Sequence, residues 1–271
     1  SRNAWEAFTE SQVLRCPQSD GTCFRPDLAP GAILHEAGRS RVNVWWPAPV
    51  ECKEGDATPI LDHVARLLPV KRDQLILLSY MAACVQYPGK KFSWAPVIQG
   101  VEGNGKTMLS KCLSEALGRH YTHWPKANKL GGQFNSWLFG NLLYCVEDIH
   151  TDEFTQAAIM EQLKPMITGG DGIEIEGKGL DQVSTEICGN FIFNTNHKSA
   201  LRKSRNDRRI APLYCAQQEE ADLIRDGMPP DYHIRMWNWL KAGGYAIVTN
   251  WLRTWPIPDE FNPATSCHRA P

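Results

Sequence analysis

The residues with the most specific chemistry run Gly100-Val101-Glu102-Gly103-Asn104-Gly105-Lys106-Thr107, which fits the pattern GxxxxGK(S/T). Residues of these types at this spacing hold phosphates. The glycines let backbone N–H groups wrap an anion at the positive end of a helix, the lysine reaches the β- and γ-phosphates, and the threonine hydroxyl ligates Mg²⁺. Gly100, Glu102, Gly103, Asn104, Gly105, Lys106, Thr107 and Met108 are therefore the candidate nucleotide contacts, with ATP and Mg²⁺ as the expected cofactors. The bland reading is a glycine-rich turn that binds nothing. The flanks argue against it: the apolar run Trp94 to Gly100 precedes the loop, and Leu109, Cys112, Leu113, Ala116 and Leu117 follow as a helical stripe closed by Gly118.

A phosphate loop needs an acidic partner for the metal. The apolar run Leu142 to Val146 ends in Glu147-Asp148, so both carboxylates emerge where a buried strand ends. Thr107, Glu147 and Asp148 form the expected metal set, one acid holding Mg²⁺ and the other polarising the attacking water, in either order. The alternative is that the acids only cap the next segment. A third strand-like run, Phe191-Ile192-Phe193, ends in Asn194-Thr195-Asn196. Asn196 has both donors and an acceptor, so it can bond the γ-phosphate and the lytic water together, although an asparagine after a strand is also an ordinary turn residue.

These groups must be positioned by regular elements, and the pattern predicts four regions. Residues 1–56, rich in Pro, Gly and Asp, read as an irregular lead-in. Residues 57–90 carry Ile60, Val64, Leu67, Leu68, Leu75, Leu78 and Met81 at helical spacing, broken near Pro69, and read as a small helical subdomain. Residues 91–216 hold apolar runs at Trp94–Gly100, Leu142–Val146, Phe191–Phe193 and Ile210–Cys215, which suit buried parallel strands. Residues 217–271, with Tyr232, Ile234, Trp237, Trp239, Leu240 and Trp251, read as helices packing over the core, base stacking being the less favoured role for that aromatic stripe.

Bulk properties limit the function classes. With 29 basic and 30 acidic residues the formal charge is −1, so nucleic-acid contact must come from local patches rather than overall basicity. The nine cysteines are odd in number and several (Cys84, Cys112, Cys145, Cys188) lie in apolar runs, as expected of reduced core thiols in a cytoplasmic protein. Cys16 and Cys23 lack a second pair, which disfavours a zinc site. No apolar run has the roughly 20 residues of a membrane span. The chain begins Ser1-Arg2-Asn3 without Met, as expected of part of a longer protein.

The series of phosphate loop, Glu147-Asp148 and Asn196 within one compact segment resembles the core of superfamily 3 helicases, in particular the helicase domains of phage and poxvirus-type primase-helicases. Phe134-Asn135, Leu163-Lys164, Gly169-Gly170-Asp171 with Lys178, and Asp207-Arg208-Arg209-Ile210 add to the likeness, which spans Pro59 to Cys215. The resemblance implies a ring ATPase, expected as a hexamer, that moves along single-stranded DNA in the host cytoplasm, with a primase or polymerase module elsewhere on the same chain. It implies a basic hairpin between the acidic strand and Asn196. Here Gly169 to Gly172 is a turn signal and Ile173-Glu174-Ile175-Glu176 alternates as a strand, so Lys164 and Lys178 become candidate DNA contacts, against plain solvated surface. It also implies an arginine that completes a neighbour's site, for which Arg208 and Arg209 qualify, the alternative being a solvated basic loop.

The expected fold is thus an α/β phosphate-loop ring-ATPase core with a parallel sheet, a helical subdomain before it and a helical closure after it. The expected activity is ATP-driven translocation on single-stranded DNA in viral or phage replication. Two rivals remain: a phosphotransferase acting on a small substrate, and an ATP-dependent DNA-loading or initiator protein without unwinding.

Overall fold

A computed structural model describes residues 19–36, 38–126, 130, 135–147, 162–169, 173–175, 183–185, 187–197 and 208–271. It divides into two compact units, Ser1–Pro47 and Ala48–Pro271.

The first unit corrects the expected irregular lead-in. It holds β1 (Gly21–Cys23), β2 (Ile33–Glu36) and β3 (Arg39–Asn43) in the order β1-β3-β2, with β1 parallel and β2 antiparallel to β3. The sequence Arg-Ser-Arg-Val-Asn of β3 has no apolar alternation to betray it. The loop between β1 and β2 is organised instead by buried Asn43, whose Nδ2 donates to the carbonyls of Arg25 (2.9 Å) and Ala29 (3.0 Å), while its Oδ1 accepts from the Arg25 N–H (3.0 Å). Boundary and content both depart from expectation, since the compact break falls at Pro47 rather than residue 56.

The second unit opens with two helices. In α1 (Thr58–Leu67) Pro59 pre-sets the first turn, and the Asp56 carboxylate accepts the Thr58 N–H at 2.9 Å. Ile60, His63, Val64 and Leu67 make its buried stripe, three of them the apolar positions that the sequence marks. Leu68 ends the helix just before Pro69, and α2 (Lys71–Gln86) follows, buried along most of its length. Tyr80 of α2 is fully buried and its hydroxyl donates to the Phe191 carbonyl at 2.7 Å, which fastens the helical subdomain to the sheet.

The sheet has five parallel strands in the order β10-β4-β9-β6-β5: β4 (Ala95–Gln99), β5 (Thr122–His123), β6 (Leu143–Glu147), β9 (Asn190–Thr195) and β10 (Ile210–Tyr214). The four predicted runs are strands. β4, β6 and β9 are buried along almost their whole length, as central parallel strands under helices must be, which is why they read as continuous apolar runs, while the edge strand β10 leaves Tyr214 exposed. On one face Ala95, Val97, Tyr144, Val146, Phe191 and Phe193 pack with Leu163 and Ile167 of the helical residues 162–168. Behind β4 comes α3 (Lys106–Leu117), with Met108, Leu109, Cys112, Leu113, Ala116 and Leu117 buried. Each leucine or methionine among them adds about 1.5–3 kcal/mol on burial.

A separate antiparallel pair, β7 (Ile173–Ile175) and β8 (Val183–Thr185), forms the two arms expected of the hairpin. The chain closes with α4 (Glu220–Arg225), α5 (Pro230–Trp239) and α6 (Tyr245–Thr254), the last two joined across a kink at Gly243 (φ 118°). The C-terminal region is helical, but α5 departs from the expected core-packing stripe: only Tyr232 and Met236 are buried in it, and Ile234 is 61% exposed. Cys84, Cys112, Cys145 and Cys188 are buried, and so is Cys23. Among the described residues no cluster of His, Cys, Asp and Glu has metal-holding geometry, and no helix is long and apolar enough to cross a membrane. Cys16 lies outside the described residues.

Candidate nucleotide site

All five core strands run parallel, so their carboxyl ends share one edge, and this is where an open α/β sheet binds ligands. Three polar segments meet there: the loop after β4, Glu147 at the end of β6, and Asn194 to Asn196 at the end of β9. Strand order decides their arrangement. Because β9 lies between β4 and β6, with Val97 opposite Phe193 and Phe193 opposite Val146, the asparagines stand between the lysine of the loop and the acid.

The loop itself turns through Gly103 (φ 79°) and Gly105 (φ 96°), a backbone region that L side chains rarely adopt. Gly105 is the N-cap of α3 and contributes no side chain, so the first N–H groups of the helix have no side-chain cap and face the cleft as anion donors. Lys106 is 6% exposed. Its ammonium donates to the carbonyls of Gly100 and Val101 (both 2.8 Å), to Asn104 Oδ1 (3.0 Å) and to Asn196 Oδ1 (3.0 Å). The lysine and the asparagine named from sequence thus touch.

The cleft around these groups measures about 450 Å³, and its lining includes Glu102 to Met108 of the loop and helix, Glu147, Asn194 and Asn196. Two buried oxygens in that lining, Glu147 Oε1 and Asn194 Oδ1, have no hydrogen-bond partner among the described residues. Glu147 pairs in register with Asn194, so the two acceptors come from facing positions of β6 and β9. Asn194 Nδ2 donates to Ser110 Oγ of α3 at 2.9 Å, which turns the amide oxygen away from that helix. Orphaned hard oxygen acceptors beside a threonine hydroxyl and an uncapped helix start suit a hydrated Mg²⁺ carrying a polyphosphate.

Two residues of α5 complete the lining: His233 and, one turn on, Trp237. Lys111 of α3 stands over the Trp237 ring at 4.8 Å. Trp237, expected in core packing, lines the cleft instead, because α5 buries only the narrow face that carries Tyr232 and Met236. Behind the loop lies a further residue invisible to motif reasoning. His63 of α1 is 0% exposed, 3.3 Å by Nε2 from the Gly105 carbonyl and 3.0 Å by Nδ1 from the Tyr232 hydroxyl of α5. Burial lowers its pKa to about 4, and burial lowers His233 as well. No local signal marked His63, Asn194, His233 or Trp237, whereas the loop, Glu147 and Asn196 were all identifiable.

The remaining candidates are placed as follows. Gly100 sits beneath the loop rather than in the lining, its Cα so close to Cys215 and Asn104 that a Cβ would fall 2.6 Å from each. Lys164 is half-buried among the helical residues 162–168, whose neighbours Leu163 and Ile167 pack on the sheet, away from the cleft lining. Arg208 and Arg209 precede β10, and the Arg209 carbonyl accepts from the Ala95 N–H at 2.9 Å, so both lie at the amino ends of the strands, the edge opposite the cleft. Asp148 and Lys178 lie outside the described residues, as do Phe134 and Asp207.

Comparison with known proteins bears on this arrangement. Residues 98–209, the segment from the end of β4 to the start of β10, match a family described as a family of unknown function (DUF5906). A DNA primase-polymerase of Nitratiruptor phage NrS-1 is 24% identical over 141 residues, 52% of this chain and 19% of that protein. The apo structure of the NrS-1 C-terminal region superposes with a TM-score of 0.73 at 18% identity, over 96% of this chain and 60% of that one. A second apo structure of the same region gives a TM-score of 0.72 over 90% of this chain and 57% of that one. The chain therefore spans about a fifth of the curated relative and somewhat over half of the solved region. The shared fold is an α/β phosphate-loop ATPase-like core with a five-stranded parallel sheet.

Proposed function

We propose that the chain is an ATP-hydrolysing motor that acts on single-stranded DNA in viral or phage replication. The observation that carries the reading is the meeting of Lys106, Asn196 and Glu147 at the carboxyl edge of one parallel sheet, around an uncapped helix start. The NrS-1 relative, a primase-polymerase, lends support to a replication setting.

In this reading Gly103 to Thr107 grip the β- and γ-phosphates through backbone N–H groups, and Lys106 turns from its loop carbonyls to the phosphate oxygens, where its charge offsets that which develops in transfer. Thr107 with one of Glu147 and Asp148 would hold Mg²⁺, which would supply further neutralisation of phosphate charge. The acid not bound to metal orients the attacking water, and Asn196, already bonded to Lys106, aligns that water with the γ-phosphate. Arg208 and Arg209 stand too far from their own cleft to act in it, which accords with a role in a neighbouring subunit of a ring, hexameric in the family that the sequence resembles. Lys178, between β7 and β8 in the sequence, is a proposed DNA contact, and so is Lys164.

The test is phosphate release from MgATP, with and without single-stranded DNA, on particles whose mass in solution is measured. Stimulation by DNA in an oligomer supports the reading. A phosphorylated small product points to the phosphotransferase alternative, and nucleotide-dependent DNA binding without turnover points to a loading protein.

A further inference from the structure

We infer that His63 is a positioning residue of the nucleotide site, a neutral two-ended strut through which helix α5 sets the phosphate loop. The inference rests on the ATP-binding reading and goes beyond it, because His63 stands 42 positions before Gly105 and outside the GxxxxGK(S/T) pattern.

The protonation of the strut follows from its partners. A carbonyl oxygen only accepts, so Nε2 must carry the proton it donates to Gly105 O; Nδ1 is then the acceptor, and Tyr232 donates its hydroxyl proton to it. For an uncharged ring, the order Tyr232 O–H to Nδ1, Nε2–H to Gly105 O is therefore the single arrangement in which both bonds exist. Burial, which holds the imidazole at a pKa of about 4, keeps that tautomer uncharged at neutral pH. The groups facing it are His233, whose ring lies edge-on at 6.3 Å, and Arg66, whose guanidinium stands over the Tyr232 ring at 5.6 Å. Both are basic and both oppose a second charge.

The far end of the strut is the part of the loop that matters most. Gly105 O also accepts the Met108 N–H at 3.0 Å, the first bond of α3, so His63 adds a second donor to the carbonyl that starts the helix. Its ring fills the space in which a Gly105 side chain would lie, 2.5 Å and 2.6 Å from an ideal Cβ, and so fixes the loop by contact as well as by bonding. The near end lies on the helix that walls the cleft: His233 adjoins Tyr232, and Trp237 follows one turn later. α1 is in turn braced at its last turn, where Gln217 Nε2 donates to Arg66 O (2.8 Å), Ala216 N–H donates to Leu67 O (2.8 Å), and Arg66 Nη1 donates to Asp226 O (2.9 Å). Contact of a nucleotide with the α5 wall is thereby transmitted to the loop that holds its phosphates, and a loosened strut weakens nucleotide binding more than it slows the chemical step.

The experiment compares Tyr232→Phe, His63→Leu and His63→Gln with the wild-type chain, reading KM for MgATP, kcat, ADP affinity by calorimetry, and the melting temperature. Deleting one bond to a buried group in Tyr232→Phe is expected to raise KM about fivefold with kcat within about twofold. His63→Leu, which removes both bonds at similar volume, is expected to raise KM and the ADP dissociation constant by about tenfold or more, and His63→Gln, whose amide still donates to Gly105 O, to recover a large part of the loss. Variants that melt earlier yet bind nucleotide as the wild type does overturn the inference and leave histidine a packing residue. A wild-type chain that binds neither ADP nor MgATP overturns the ATP reading itself, and the inference with it.

Discussion

The depressed pKa of His63 predicts a specific acid instability. The group has a pKa of about 4 in the folded chain against an ordinary 6.5. The unfolded chain therefore takes up the proton first, so the stabilisation is complete above about pH 6.5 and is lost as the pH falls from there toward about 4. Each pKa unit corresponds to about 1.4 kcal/mol, so the full effect is about 3 kcal/mol, and at about pH 5 the linkage relation gives a loss of about 2 kcal/mol. For a chain of this size that is roughly 4–8 °C of melting temperature. Burial lowers His123 and His233 too, so wild type alone does not isolate His63. The comparison is with His63→Gln, which cannot titrate: urea unfolding of both chains at about pH 7.5 and about pH 5 should show the wild type losing about 2 kcal/mol more than the variant. Equal losses in the two chains would refute the assignment of a buried, neutral His63.

Other substitutions probe the cleft itself. Gly105→Ala forces a side chain into positive φ and against the His63 ring, which predicts a loss of about 2–5 kcal/mol in stability by chemical denaturation together with loss of nucleotide affinity; a stable, binding variant contradicts the loop geometry. Asn196→Ala should leave MgATP binding within a few-fold of normal by calorimetry and cut turnover by roughly 100-fold in a phosphate-release assay, since it removes the group between Lys106 and the acid. Arg208→Ala with Arg209→Ala should bind ATP normally and hydrolyse it poorly, and co-assembly with Lys106→Ala subunits should restore part of the turnover; mixed particles without recovery exclude an arginine acting between subunits.

How much of this could be read in advance depends on the range of the signals. The phosphate loop, the carboxylate after β6 and the asparagine after β9 are local patterns at strand ends, and a buried parallel strand is itself a local apolar run, so both the core and its polar edge follow from the sequence. His63 is marked only by its place on the apolar face of α1, where a histidine is ordinarily a packed core residue, and its partners lie 42 and 169 positions away. Asn194 reads as the middle of a strand, and only its pairing with Glu147 makes it part of the cleft. Trp237 and Ile234 share a short amphipathic helix whose apolar residues outnumber its buried positions, so composition assigned to the core what the fold gives to the cleft and to solvent. In residues 19–43 short polar strands are held by backbone pairing and by the Asn43 side chain, neither of which leaves an apolar period.

The central claim is that the cleft between Lys106, Asn196 and Glu147 hydrolyses ATP, and it is tested most directly by single-turnover release of phosphate from MgATP by the wild-type chain beside a folded Lys106→Ala variant. The account predicts turnover in the wild type that rises with single-stranded DNA and falls by at least about 100-fold in the variant. Equal rates in the two proteins, or none in an assembled wild type, would contradict it.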